Sequence, residues 1–195
     1  MKMKTMFSSL ACGAVLLAGL PACTADQGGG KKPVGAIGED PVALVEKGVE
    51  EGQAGDIEKA KQTFEQVLAV DENNMLAWYN LGYIAQSQDR IAQAIDSYDQ
   101  ALEADPFYKP ALFNKAIALE SHDRSSAIDL YRQIVELDGE ASTAYLRLGL
   151  LLVSEGDEVE AREAFGEAVR LDGALLEGVP EEYRDDADEA TRVSE

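Results

Sequence analysis

Basic side chains are scarce in this chain: 17 Lys and Arg stand against 37 Asp and Glu, a formal charge of −20 over 195 residues. So acidic a surface repels phosphate backbones, which excludes nonspecific nucleic-acid binding. Histidine occurs once and cysteine twice, so neither a disulfide framework nor a zinc site made of Cys and His is available. No GxSxG, HExxH, P-loop or GxGxxG pattern is present, and His122 reads as a surface turn residue rather than a general base. The acidic run Asp185-Asp186-Ala187-Asp188-Glu189 lacks the spaced ligands and central glycine of a calcium loop. These absences predict that the chain is not an enzyme and has no metal and no cofactor. What is present suffices for folding: 46% hydrophobic residues can build a core, and the length fits one domain or one short repeat array.

The first 23 residues read MKMKTMFSSLACGAVLLAGLPAC, with Lys2 and Lys4 ahead of an apolar stretch and a small residue, Ala22, before Cys23. This is the pattern of a secretory signal. Its strongly apolar part, residues 10–20, would be roughly 16 Å long as a helix, against roughly 30 Å of bilayer hydrocarbon, so a spanning helix is disfavoured. Leu20-Pro21-Ala22-Cys23 resembles the lipobox of bacterial lipoproteins. That resemblance implies a signal peptide over residues 1–22 and acylation of Cys23 as the first residue of the mature chain. It also implies an extracytoplasmic location, at the outer membrane if the host has one and otherwise at the outer face of the cytoplasmic membrane. Cys12 would leave with the signal, so the mature chain would hold no disulfide. Two or three acyl chains exceed what durable membrane attachment needs. Residues 24–40, rich in Gly and carrying Lys31, Lys32 and Pro33, then read with Cys23 as a flexible tether.

Beyond the tether a period of 34 emerges when Ala60, Ala94, Ala127 and Ala161 are aligned. It divides the chain into units at 41–74, 75–108, 109–141 and 142–175, the third one residue short in its internal turn. The second unit holds Trp78-Tyr79-Asn80-Leu81-Gly82-Tyr83-Ile84-Ala85, then Ala94, Tyr98, Ala101 and Pro106. In these residues it resembles the tetratricopeptide repeat. The fourth unit repeats the pattern with Gly149, Gly156, Ala161 and Phe165, and the first with Gly48, Gly55, Ala60 and Phe64. Lys47 and Lys115 depart from it where leucine is usual, and Ala116 where glycine is usual. The resemblance implies an all-α, right-handed α-solenoid of four helix-turn-helix repeats. Helix-interior Gly48, Gly82 and Gly149 each cost about 1 kcal/mol relative to alanine, which close helix approach would offset. Phe64, Tyr98, Tyr131 and Phe165 are expected to fill the space beside the alanines. Helix stops are expected at Pro106, Gly139 and Gly173. Leu175, Leu176, Val179 and Tyr183 recur at near-helical spacing, so residues 176–195 should cap the last repeat and run into a disordered acidic tail.

Charge sorts by helix. The first helices of the units, 41–54, 75–88, 109–122 and 142–155, hold five acidic and four basic residues. The second helices, 55–71, 89–105, 123–138 and 156–172, hold 19 acidic against seven basic, a net of −12. Acidity is thus an outer coat, and the concave side lined by first helices is near neutral. In the family, inward-facing residues include the fifth and ninth of each unit. Here these are Val45, Tyr79, Phe113 and Leu146, and Val49, Tyr83, Ile117 and Leu150. Two apolar rows suggest an exposed stripe that monomers seldom leave uncovered, although packing between adjacent first helices would require the same residues. Asn80 and Asn114 resemble the family asparagines that bind a peptide backbone, and Arg147 in the same row suits a carboxylate. Val45 and Val49 stand where a carboxylate-gripping cochaperone domain would need cations or amides.

The sequence therefore predicts a membrane-anchored adaptor of the bacterial cell envelope that binds a protein or peptide in a concave groove. The alternative is a self-associating structural protein, a homo-oligomer whose groove is covered by a second copy or by its own tether or tail.

Overall fold

Eight repeat segments become eight helices in antiparallel pairs, six of them preceded by Asp, Asn or Arg. The structure is a computed structural model and describes residues 40–192; the signal segment, Cys23 and the tether up to Glu39 lie outside the described residues, as does the end of the acidic tail. The pairs are α1 (Pro41–Gln53) with α2 (Ile57–Val70), and α3 (Met75–Ser87) with α4 (Ile91–Ala104). They continue with α5 (Lys109–Leu119) and α6 (Arg124–Leu137), then α7 (Ser142–Glu155) and α8 (Glu158–Leu171). Helix starts follow local chemistry. Asp40 accepts a hydrogen bond from the Val42 amide ahead of Pro41, and Asn74 accepts one from the Ala77 amide.

Each pair closes around one ring. Phe64, Tyr98, Tyr131 and Phe165 are at most 2% exposed, each among the small alanines of its own repeat. A Cβ added to Gly48, Gly82 or Gly149 would stand 2.8, 2.6 or 2.5 Å from the facing ring of Phe64, Tyr98 or Phe165. The helix-interior glycines are therefore required by contact, and burial of the ring offsets their cost in helix propensity. In the third repeat Ala116 takes the glycine's place, fully buried.

The turns inside the repeats explain the missing residue of the third unit. Gly55, Asp89 and Gly156 occupy the same place in repeats one, two and four and turn the chain with φ of 85°, 58° and 84°. The third unit lacks this residue. Its α5 ends early at Leu119, and the turn is carried instead by His122 and Asp123 amides bonding to the Leu119 carbonyl. Between repeats the helices do stop just ahead of Gly139 and Gly173, α6 at Leu137 and α8 at Leu171, but neither glycine adopts a positive φ. The preceding aspartates make the turn: Asp105, Asp138 and Asp172 accept from the amides two residues on, Phe107, Glu140 and Ala174.

The pairs stack into a right-handed α-solenoid. First helices touch one another, α1 with α3 and α3 with α5, which puts them on the inner side of the curve and leaves second helices outside. Lys47 and Lys115 hold the place that faces the preceding second helix. There Leu148 is buried, Leu81 packs on the core of the first repeat, and Lys115 pairs with Asp99 of α4. Lys47 is exposed, as a polar end of the stack requires. At the other end, a 3₁₀ turn (Gly173–Gly178), a shorter one (Glu181–Tyr183) and α9 (Arg184–Arg192) cover α8. Val179, Tyr183 and Ala187 are at most 5% exposed and continue one apolar core that begins at Leu112. Arg162 stacks on the Tyr183 ring at 5.3 Å and bonds to Asp186, and Arg184 donates to the carbonyls of Val179 and Glu177. The expected cap is present and ends in a helix that begins at Arg184.

Candidate functional site

The inner face is built from the residues that the sequence pattern placed there, but the structure uses many of them internally. Val45 is 8% exposed and sits in the apolar cluster under the first repeat, with Val49 packed beside it. Phe113 lies edge-on to Tyr131 at 5.8 Å, and Ile117 packs on the same core. Leu146 packs against that core as well, and a Cβ on Gly178 would come within 2.9 Å of its Cδ2. The expected continuous exposed stripe is thus interrupted: Val45 is buried, and Tyr79, Phe113 and Leu146 are half-buried, Phe113 against the ring of its own repeat and Leu146 against the C-terminal cap. Tyr83 and Leu150, both 41% exposed, remain open in mid-helix, with Leu76 at 37% near the start of α3.

The polar residues are engaged too. Asn80, 8% exposed, donates its amide to the Leu76 carbonyl at 2.7 Å, within its own helix. Asn114 donates to the Tyr79 hydroxyl at 3.2 Å across the boundary between repeats two and three. Tyr79 in turn meets Tyr108 edge-on at 5.3 Å and lies 6.1 Å from Tyr98. Burial pushes the Tyr79 phenol up despite the Asn114 bond, and burial beside Tyr79 and Asp105 pushes Tyr108 up to about 12. Arg147 does meet a carboxylate, but one of this chain: its Nη1 lies 2.7 Å from Oε1 of Glu120, which also accepts from the Tyr131 hydroxyl at 2.7 Å. This bridge between repeats three and four was not anticipated; the one acidic residue at the end of α5 was its only trace in the sequence.

His122 Nδ1 lies 2.8 Å from Ser121 Oγ, both exposed in the α5–α6 turn, and no third group orients the imidazole among the described residues. Among those residues no cluster of His, Cys, Asp and Glu is placed to hold a metal ion, and no helix is long and apolar enough to cross a membrane.

Comparison with known proteins agrees with the architecture. A family model described as Tetratricopeptide repeat matches residues 45–109 and 117–174. The chain is similar to the Photosystem I assembly protein Ycf3 of Acaryochloris marina, 32% identical over 98 residues that make up 48% of this chain and 59% of that one. It is also similar to the Protein O-mannosyl-transferase TMTC3 of Homo sapiens, 29% identical over 118 residues, or 58% of this chain and 13% of that protein. The chain therefore spans only a part of these relatives. Among solved structures, MamA superimposes with a TM-score of 0.64 at 23% identity, covering 74% of this chain and 90% of that one. YrrB, described as a TPR protein with an unusual peptide-binding site, does so with a TM-score of 0.67 at 19% identity, covering 77% and 82%.

Proposed function

The chain belongs to the tetratricopeptide repeat family, and from that premise we propose that it is a non-catalytic adaptor, held to a bacterial envelope membrane by lipid on Cys23 and engaging a partner peptide on its inner face. The observation that carries the binding side of this reading is the pair Tyr83 and Leu150. Both are 41% exposed in the middle of first helices, where their neighbours in the same row are packed away. Each offers an apolar anchor between repeats whose polar residues are already satisfied, so recognition would rest on apolar side chains of the partner more than on fixed amides. The peptide-binding site described for YrrB supports the class of partner. The transferase activity named for TMTC3 is not carried over, since the match spans 13% of that protein. The anchor rests on Lys2, Lys4, the apolar stretch and Leu20 to Cys23.

Photo-crosslinkers placed at Tyr83 and Leu150 in native envelopes test the groove. A heterologous protein should be captured, and the Tyr83→Glu and Leu150→Glu pair should abolish its capture by a crosslinker at Leu76. Capture of a second copy of the chain alone would replace the adaptor with the self-associating protein. Mass measurement of the mature chain tests the anchor: a first residue at Cys23 carrying acyl chains is expected, and an unacylated terminus would overturn it.

A further inference from the structure

On the outer side, clefts floored by the first helix beneath lie between α2 and α4 and between α4 and α6. The cleft between α2 and α4 does not match its cation internally. The other two junctions do: Lys115 pairs with Asp99 between α4 and α6, and Arg132 spans to Glu160 between α6 and α8 with bonds of 2.8 and 2.6 Å. Arg90 lines the α2–α4 cleft, half-buried, and its guanidinium makes no hydrogen bond or ion pair among the described residues. Lys61 and Glu65 line it too, 3.7 Å apart, so that one acid stands against two bases. The space measures about 260 Å³, and its apolar floor is Leu81, Ile84 and Ala85, of which the last two are each 6% exposed. On an outer surface with a strong acidic excess, this is a locally cationic pocket over an apolar base.

We propose that this cleft binds the free C-terminus of a partner polypeptide. A guanidinium presents two parallel donors that fit a carboxylate, and in a half-buried site such a bond is strong. A carboxylate and an apolar side chain on the same Cα is what a C-terminal residue supplies, and it matches one cation set directly beside an apolar floor. An aspartate or glutamate side chain supplies the charge without the adjacent apolar group. The proposal uses none of the inner-face residues, so it stands or falls apart from the groove.

The test is a ¹H–¹⁵N NMR titration of the intact chain with Ac-Ala-Leu-Phe-OH, its C-terminal amide, and Ac-Ala-Asp-Leu-NH₂. The free acid should shift the Arg90 Nε–Hε signal and the amides of Ala85 and Gln93, with at least tenfold weaker binding for both amidated peptides. Arg90→Gln should lose tenfold or more, Arg90→Lys should retain part of the binding, and Arg132→Gln should change nothing. An unperturbed spectrum elsewhere shows that Arg90→Gln is folded. Equal binding of either amidated peptide, binding that survives Arg90→Gln, no shift at all, or shifts confined to Tyr83 and Leu150 would each overturn the proposal.

Discussion

The Tyr98 hydroxyl donates to Oε1 of Gln86 at 2.6 Å, tying α4 to the end of α3. The third repeat does the same with Tyr131 and Glu120. Repeats one and four have Phe64 and Phe165 at the ring position, and Gly52 and Val153 where the acceptor would stand. Within one chain, therefore, the hydroxyl and its acceptor are present together or absent together, as expected where an unpartnered buried hydroxyl is costly.

Burial drives both phenols well above the ordinary tyrosine range, and at Tyr131 the neighbouring Glu120 adds to it. A raised folded-state value means that stability is complete below about pH 10, the unfolded value, and falls as pH rises beyond it. Alkaline titration followed at 295 nm should show Tyr98 and Tyr131 ionising together with loss of helical circular dichroism. Tyr98→Phe should cost about 0.5–1.5 kcal/mol at pH 7. Ionisation of both with the fold intact would contradict this account.

Gly82→Ala places a methyl 2.6 Å from the Tyr98 ring. Overpacking of about 1–3 kcal/mol outweighs the gain of about 1 kcal/mol in helix propensity, so urea midpoints should fall. A rise would show that the ring moves aside freely.

Asp89 turns the second repeat at φ 58°, where its counterparts in the first and fourth are glycines. Asp89→Gly should stabilise by about 0.5–1 kcal/mol, because relief of left-handed strain exceeds the added freedom of the unfolded chain. Thermal unfolding of the two proteins side by side decides the sign.

The Arg132 guanidinium, bonded to both oxygens of Glu160, holds that carboxyl below its usual range. A depressed value gives stability that is present above about pH 4.3 and is lost as pH falls through the lower folded value. Both side chains are about a third or more exposed, so screening limits the pair to about 0.5 kcal/mol. Arg132→Gln should therefore be destabilising at pH 7 and indistinguishable from the parent near pH 2. An effect that persists at pH 2 would assign it to packing of the arginine stem.

Much of the fold was legible because the repeat period, the helix-interior glycines and the ring positions all report contacts inside one helix pair. All eight repeat helices lie within three residues of their expected ends. Contacts between repeats were less legible. Whether Tyr79 faces solvent or Asn114, and whether Arg147 is free or bonded to Glu120, depends on how far each pair rotates on the last, which no local pattern encodes. Lys47 and Lys115 look alike as departures from leucine, yet one ends the stack and the other finds Asp99. Asn80 is ambiguous for a different reason: an asparagine in a helix can satisfy its amide on a carbonyl one turn back, as it does on Leu76. Nothing near Arg90 in sequence foretells an unmatched cation.

The two ends of the array are finished differently. One core runs unbroken from Leu112 to Ala187, whereas a separate, smaller cluster underlies the first repeat, closed outward by the bare Lys47. In a stack whose modules hold only their neighbours, force entering through Asp40 meets the least supported pair first. Optical tweezers pulling between residues 40 and 192 should record α1 and α2 peeling away as an early, reversible step while the remainder holds, giving the molecule a built-in slack of one repeat under strain.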